Sequence, residues 1–267
     1  MSLLETVDLS VTFGGLRAVD EVSIAVERGA LVGLIGPNGA GKTTLIDALT
    51  GFVASQGGIV FDGLHLDGLP AHRRARAGLA RTWQSLELFD DLTVAENLQV
   101  AAERQGVRSF VNDVLRPSRR RDLSAVGQAL ASLGLSHLAD RLPSALSQGH
   151  RKLVGVARAL AAQPALVCMD EPAAGLDPTE SHELGEQLRA LTGAGTAILL
   201  VDHDMGLVLG VCDHIYVMEF GQVIAHGSPR EIRADERVIS AYLGKTARKD
   251  IEEAKAALAA RDEDRRS

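Results

Sequence analysis

The segment GPNGAGKTT, residues 36–44, constrains the fold of this chain more than any other part of the sequence. It matches the pattern G-x-x-x-x-G-K-[ST], and it lies between the apolar run of residues 30–35 and a helical pattern that Gly51 can end. The apolar run predicts a strand buried on both faces. Strand, glycine loop and helix in this order predict an α/β fold with a phosphate-binding loop.

Each residue type in this loop has a role in binding phosphate. Gly36, Gly39 and Gly41 let successive backbone N–H groups converge on phosphate oxygens. Lys42 brings a charge to the β- and γ-phosphates, and Thr43 offers a hydroxyl to Mg²⁺. The remaining loop residues predicted to contact the ligand are Pro37, Asn38, Ala40 and Thr44. The sequence therefore predicts a site for a nucleoside triphosphate with magnesium.

A second group of candidate residues follows two other apolar runs. In LVCMDEP (166–172), Asp170 can hold the magnesium through water, and Glu171 can act as a general base. An Asp-Glu pair alone is more often a plain helix start, but this pair follows five apolar residues in a chain that has a phosphate-binding loop. His203 ends the run AILLV, at the sheet edge where ligands bind, so we expect it near the γ-phosphate although a lone histidine there is usually structural.

Two features leave alternatives open. LSQGH (146–150) precedes an apolar helical pattern, which predicts a helix from Arg151 to Ala162. Its Ser-x-Gly either holds a phosphate or caps that helix. Phe13, followed by two glycines, either stacks on an adenine or belongs to the core.

The order of the remaining patterns predicts the domain organisation. Strands alternate with helices, which predicts a largely parallel sheet, and the first thirty residues alternate as strands around Gly14-Gly15. Residues 214–227 predict a hairpin with Gly221 near its turn. We expect one domain over residues 1–244 with a helical subdomain at about 86–160. The basic segment 116–121 is expected to be a solvated loop, and 245–267 a charged tail.

Composition excludes several functions. A net charge of −7 argues against a broad nucleic-acid surface. Cys168 and Cys212 show no metal-ligand spacing, which predicts buried thiols in a reducing compartment. We expect no signal peptide, and no apolar stretch approaches the roughly 18 residues needed to span a bilayer, so any work at a membrane requires other chains to cross it.

Together these motifs resemble the ATP-binding cassette of ABC transporters over about residues 3–244. The resemblance implies a P-loop ABC ATPase fold, with a mixed sheet core, an antiparallel β subdomain and a helical subdomain. It implies ATP and Mg²⁺ as cofactors, with Glu171, His203 and Gln84 catalytic and with Thr43, Gln84 and Asp170 at the metal. The matching segments are Phe13 as the adenine-stacking residue, GPNGAGKTT as Walker A, RTWQ as the Q-loop with Gln84, LSQGH as the signature, MDEP as Walker B, AGLD (174–177) as the D-loop and VDHDM with the switch residue His203.

The resemblance also answers the question that LSQGH raises. In this family two cassettes pair head to tail, which implies that Ser147 and the Gly149 amide hold the γ-phosphate of ATP bound to the partner. Gln148 and His150 depart from the usual Leu-Ser-Gly-Gly-Gln. His150 is either a harmless replacement or the mark of a weakened signature in a dimer with unequal sites.

Residues 50–102, 170–178 and 201–244 are similar to the ATPase subunits of branched-chain amino-acid importers. This implies a peripheral subunit at the cytoplasmic face of the bacterial cell membrane that powers solute uptake. Its implied partners are a second cassette, as a heterodimer or homodimer, two permeases and, indirectly, a solute-binding protein. Alternatives are a urea or amide importer, a lipopolysaccharide exporter, or a soluble ATPase acting on nucleic acid or ribosomes. Substrate recognition belongs to the binding protein and permeases.

Overall fold

The computed structural model describes residues 2–83, 88–102 and 124–238. Within those ranges, eleven strands form two sheets, and eight α-helices pack around them. The basic segment 116–121, the tail 245–267 and Gln84 lie outside the described residues, so the expectations about them stay predictions.

One sheet is antiparallel and is built from the N-terminal part of the chain. Its strand order is β2-β1-β5-β6, and β3 pairs with the other end of β1. The buried hydroxyl of Thr6 donates to the Val22 carbonyl and accepts the Ile24 N–H, which holds the chain together where it passes from β2 to β3. The strands are β1 Ser2–Phe13, β2 Leu16–Val22, β3 Ala25–Glu27, β5 Gln56–Phe61 and β6 Leu64–His65. The predicted antiparallel subdomain and its Gly14-Gly15 turn are confirmed.

The second sheet is the mixed core, with strand order β11-β10-β4-β9-β8-β7. Only β11 is antiparallel to its neighbour; the other strands of this sheet run parallel. Every residue of β4, β8 and β9 is buried, which explains their continuous apolar runs. The strands are β4 Leu31–Ile35, β7 Leu79–Arg81, β8 Leu166–Asp170, β9 Ala197–Val201, β10 His214–Glu219 and β11 Gln222–Gly227.

The helices fall on both sides of the core sheet. α3, α4 and α5 pack on one another and form the predicted helical layer. The helices are α1 Lys42–Thr50, α2 Ala71–Arg76, α3 Val94–Ala102, α4 Ser124–Ser132, α5 Gln148–Ala161, α6 Pro178–Gly193, α7 Met205–Val211 and α8 Pro229–Ala234. The predicted boundary of α5 is wrong, since the helix begins at Gln148 and not at Arg151.

The core sheet separates two hydrophobic clusters. In β9, Ile198 and Leu200 face a cluster that contains the helical layer, whereas Leu199 faces a cluster with α1 and the antiparallel sheet. Cys168 and Cys212 are free and buried, as predicted, and burial raises the pKa of each thiol to about 12. Among the described helices, none has both the length and the apolar character needed to cross a membrane.

Candidate functional site

The candidate residues meet at one edge of the core sheet because they follow parallel strands. Val201, the last residue of β9, pairs with Leu34 on one side and with Asp170 on the other. The end of β9 therefore has the start of the glycine loop on one side and the Asp170-Glu171 pair on the other. This is the carboxyl edge at which open α/β sheets bind ligands.

Two glycines of the loop are required by close backbone contacts. A Cβ on Gly36 would lie 2.1 Å from the Met218 carbonyl oxygen, and one on Gly41 would lie 2.2 Å from the Ala18 carbonyl oxygen. Gly41 also has a φ of +99° as the N-cap of α1. By contrast, a Cβ on Gly39 would meet nothing within 4 Å, although its φ is +83°. The loop is thus packed between β10 and β2, which aims its backbone and the start of α1 at one point.

Lys42 lies back across this loop. Its Nζ donates to the carbonyl oxygens of Gly36 at 2.7 Å and of Pro37 at 3.0 Å. Burial lowers the pKa of Lys42, while the nearby carboxylates of Glu171 and Asp170 oppose that shift. The ammonium group is thereby fixed at the mouth of the loop, where an anion bound by the backbone amides would meet it.

Asp170 is a buried carboxylate without a partner. The residue is 3% exposed, and neither of its carboxylate oxygens has a hydrogen-bond partner among the described residues. Burial is the main cause that raises its pKa. The Thr43 hydroxyl makes no hydrogen bond to the carboxylate at normal distance, but it is near enough to oppose this shift. The Glu171 charge adds to the shift, and the Arg81 and Lys42 charges oppose it. A buried unpaired carboxylate beside a threonine hydroxyl has the oxygen ligands that Mg²⁺ prefers, so these residues fit the predicted metal.

Glu171 leaves the end of β8 with an unusual backbone conformation. Its φ is +52°, in the left-handed region that a glutamate rarely adopts, and its N–H donates to the Val201 carbonyl at 2.7 Å. The side chain is partly exposed and lines the same cleft as Asn38–Thr44. Strain of this kind is stored at functional sites when surrounding contacts hold the residue in place.

His203 lies at the end of β9 with its side chain 65% exposed. Its Nδ1 is 3.7 Å from Oδ1 of Asp202, which is itself buried. The Asp202 carboxylate accepts the N–H groups of Ala173 and Asp204, both at 3.0 Å. Sequence reasoning did not single out Asp202, although a carboxylate between an apolar run and a candidate histidine was a usable signal.

Ser147 is the N-cap of α5. Its Oγ accepts the His150 N–H at 3.2 Å and lies 2.9 Å from Nδ1 of the same histidine. Gly149 is buried, and it packs against the loop that leads into α6: a Cβ there would lie 2.9 Å from Cδ2 of Leu176. The capping alternative is therefore confirmed within the chain. Contact with a phosphate stays a prediction, and neither Ser147 nor Gly149 is among the described residues that line the cleft at the glycine loop.

Phe13 is the last residue of β1 and is 50% exposed, so the alternative that it belongs to the core is wrong. Its stacking on adenine stays a prediction, and it is not among the described residues that line the cleft. That cleft has a volume of about 510 Å³. Its lining consists of Leu16, Arg17, Ala18, Asn38, Gly39, Ala40, Gly41, Lys42, Thr43, Thr44, Glu171, Phe220 and Gly221. Sequence reasoning did not predict Phe220.

A larger groove of about 940 Å³ lies between β7, α2 and the helical layer. At its wall the Arg81 guanidinium lies 4.1 Å from the ring centre of Trp83 and 5.5 Å from that of Phe52. Arg81 also forms an ion pair with Asp47. The two aromatic rings are 4.7 Å apart, yet Phe52 remains 53% and Trp83 44% exposed. Asp170 and Glu171 border the same groove, so it reaches the candidate catalytic residues.

Comparisons with known proteins agree with this geometry. Residues 19–174 match the family model described as "ABC transporter", and residues 222–248 match the one described as "Branched-chain amino acid ATP-binding cassette transporter". The high-affinity branched-chain amino acid transport ATP-binding protein LivG of Escherichia coli (strain K12) is 44% identical over 249 residues, which cover 91% of this chain and 98% of that protein.

Two further relatives are informative. The lipopolysaccharide export system ATP-binding protein LptB of Haemophilus influenzae is 37% identical over 245 residues, covering 91% of this chain and 98% of that protein. A crystal structure of a nucleotide-free ATP-binding cassette from an ABC transporter superposes with a TM-score of 0.81 at 33% identity, covering 92% of this chain and 100% of that one. The fold, the loop at the sheet edge and these matches together make the chain a member of the ABC transporter family, as an ATP-binding cassette of the branched-chain amino-acid type.

Proposed function

We propose that the chain binds and hydrolyses ATP as the energising subunit of an importer for branched-chain or other hydrophobic amino acids. The observation that carries the proposal is the pair at the end of β8: Asp170 is a buried carboxylate, and Glu171 directly after it lines the cleft of the phosphate-binding loop. The likeness to LivG and the matched segment 222–248 support branched-chain amino acids as the class of transported solute.

Binding of the triphosphate uses groups that the fold already holds in place. The amides of residues 38–44 and the N-terminus of α1 meet the phosphate oxygens, and Lys42 exchanges its carbonyl partners for the β- and γ-phosphates. Thr43 and Asp170, together with Gln84, are the proposed holders of Mg²⁺. Bound there, Mg²⁺ would neutralise charge on the phosphates and on Asp170.

Hydrolysis requires a base for the attacking water. Glu171 borders the cleft directly after Asp170, where its carboxylate can accept a proton from a water aligned with the γ-phosphate. His203, exposed at the neighbouring strand end, is the proposed contact for the γ-phosphate. The Asp202 carboxylate accepts the N–H groups of Ala173 and Asp204, and these bonds hold the loop that carries the His203 imidazole at this edge.

Closure of a dimer supplies the last phosphate contact. In the proposed head-to-tail pair, Ser147 and the Gly149 amide hold the γ-phosphate bound to the partner cassette. Support comes from the position of Ser147 as the exposed N-cap of a 14-residue helix, since helix N-termini favour anions. The partner cassette is proposed to be a different chain, with a homodimer as the alternative.

The groove of about 940 Å³ is the proposed contact for the permeases. Phe52 and Trp83 expose aromatic surface there, and exposed apolar patches of this kind mark protein interaction sites. The groove also borders Glu171, so a permease segment bound in it is coupled to the catalytic edge. The protein would then work at the cytoplasmic face of the cell membrane, attached through these permeases.

One related function has support of its own. The 37% identity to LptB favours a lipopolysaccharide-export cassette as the second candidate. The two candidates share the ATPase site and differ in their permeases, so only the partners distinguish them. Urea or amide import differs in the same way.

Capture of the closed complex tests the proposal. Glu171→Gln should retain ATP but hydrolyse it at a small fraction of the wild-type rate, because the amide cannot accept the proton. We would add Mg-ATP to membranes carrying this variant, solubilise them in detergent, purify the tagged chain and identify its partners by mass spectrometry. Lys42→Ala, which should not bind ATP, is the matched control.

Each result has a clear meaning. Two permeases and a second cassette in the Glu171→Gln sample support the importer. A homodimer with an export-type permease pair supports the exporter, and no membrane partner refutes a transport function. Turnover of Glu171→Gln near the wild-type rate would refute the assignment of the base.

A further inference from the structure

Phe220 is the most exposed large apolar side chain in the described residues, at 85%. It forms with Gly221 the two-residue turn between β10 and β11, with φ values of +47° and +83°. Turns with two positive φ values favour Asn, Asp and Gly. A phenylalanine is unfavourable there for two reasons: its backbone must adopt a positive φ, and its apolar ring is exposed to water. Residues that contradict the local sequence preferences in this way are expected at functional positions.

The turn is fixed against the glycine loop. The Gly221 N–H donates to the Ala40 carbonyl at 3.0 Å, and the Gly221 carbonyl accepts the Asp20 N–H at 2.9 Å. Nε2 of Gln222 donates to the Asp20 carboxylate at 2.7 Å. A Cβ on Gly221 would lie 3.0 Å from the Ala18 carbonyl oxygen. The turn therefore lies between β2 and the glycine loop, and its backbone holds Phe220 at the cleft.

The cleft consequently joins two kinds of surface. Asn38–Thr44 present backbone amides and Lys42 for an anion, while Leu16, 69% exposed, and Phe220 present apolar groups at the same opening. A nucleotide has the matching form, with an anionic phosphate chain at one end and a flat aromatic base at the other. Aromatic side chains stack on such bases.

We infer that Phe220 contacts the base of the bound ATP, with Leu16 beside it. This inference rests on the proposed ATP site and adds a residue to it that the resemblance to the family did not assign. Phe13, the predicted stacking residue, is in β1 and is separately testable. Binding of the base would then cover the exposed phenylalanine, which gives a reason for a phenylalanine in this strained turn.

Calorimetric titration of the full-length chain with two ligands tests this inference. Mg-ATP has a base, and magnesium tripolyphosphate has only the phosphate chain. For Phe220→Ala, we expect the Kd for ATP to rise about thirtyfold, which corresponds to the middle of the range for loss of one base–aromatic stack. The Kd for tripolyphosphate should stay within about twofold of wild type, because the glycine loop is unchanged.

Two further variants exclude a structural explanation. Phe220→Asn suits the turn, so its nucleotide-free Tm should equal or exceed that of wild type while its ATP affinity falls like that of Phe220→Ala. Phe89→Ala removes a phenylalanine that is 48% exposed and does not line the cleft, and it should leave both Kd values unchanged. In the assembled transporter, Phe220→Ala should raise KM for ATP with little change in kcat.

The possible outcomes separate the two claims. Wild-type protein that binds neither ligand would contradict the proposed function itself. An unchanged ATP Kd in both Phe220 variants would refute the base contact. Equal weakening of ATP and tripolyphosphate would also refute it, because the effect would then come from a disturbed glycine loop.

Discussion

Replacing Asp170 by asparagine should make the nucleotide-free protein more stable. The carboxylate is buried and neither oxygen has a hydrogen-bond partner in the described part of the chain. An unsatisfied buried polar group costs about 1–3 kcal/mol, and a charged group costs more. An amide keeps the shape but removes the charge, so we expect a gain of about 1–2 kcal/mol in the free energy of unfolding. For a chain of this size, that corresponds to a rise of about 2–8 °C in Tm.

The gain should depend on pH in a definite direction. Burial raises the pKa of Asp170 above its ordinary value of 3.8, so ionisation destabilises the folded state. In wild type the penalty is full above the folded pKa and disappears below the unfolded pKa. The advantage of Asp170→Asn should therefore be largest above the raised folded pKa and should decrease as the pH falls toward 3.8.

Thermal unfolding in EDTA at several pH values measures this difference. Asp202→Asn is the matched control, because that buried carboxylate accepts two backbone N–H groups and its replacement should lower the free energy of unfolding by about 1–3 kcal/mol. With saturating Mg-ATP the order should reverse, since wild type gains more ligand binding energy than Asp170→Asn. The reasoning fails if Asp170→Asn is no more stable than wild type at neutral pH, or if its advantage does not change with pH.

Three further predictions concern the glycine loop, the helix caps and a buried arginine. Gly41→Ala should abolish ATP binding, because the new Cβ would clash with the backbone of Ala18. Gly39→Ala should lower the free energy of unfolding by only about 1–2 kcal/mol, because of the positive φ, and should retain binding. Titration with ATP distinguishes the two variants. Ser147→Ala and Ser228→Ala each remove an N-cap, so each should lower the free energy of unfolding measured in urea by about 1 kcal/mol. Only Ser147→Ala should also reduce the ATPase activity of the transporter. Equal losses of ATPase activity would contradict the phosphate contact of Ser147. Arg74→Met should lower the free energy of unfolding by about 2–4 kcal/mol, because three backbone carbonyls lose the buried donor; a loss below about 1 kcal/mol in urea unfolding would be too small for that role.

Sequence patterns predicted the parts of the fold that have a strong local signal. The continuous apolar runs identified β4, β8 and β9, Gly51 marked the end of α1, and Gly221 marked the turn of the β10–β11 hairpin. β7 was not predicted, because its three residues have no periodicity and owe their conformation to pairing with β8. The start of α5 was predicted three residues late, because the apolar pattern begins at Leu153 while the cap at Ser147 fixes the true start.

The candidate site was predictable as a set of residues and not as an arrangement. Motif spacing identified Lys42 and Asp170, but their burial depends on the strand order around β9, which is a property of the whole sheet. The positive φ of Glu171 has no sequence signal, since glutamate rarely adopts it and only the neighbouring contacts hold it. Phe220 could have been found from EFGQ, where a tight turn starts with a residue that such turns disfavour.

Asp202 links the loops that carry Glu171 and His203. One carboxylate bonds both the loop that follows Glu171 and the loop that contains His203, so the two loops have few independent degrees of freedom. If Glu171 and His203 act as proposed, they should keep the same mutual geometry whether two cassettes are apart or together, and hydrolysis would require little reorganisation energy within the chain. Under the proposed function, turnover would then be controlled by when a nucleotide becomes enclosed between two cassettes, and the partner chains would set the rate of that enclosure.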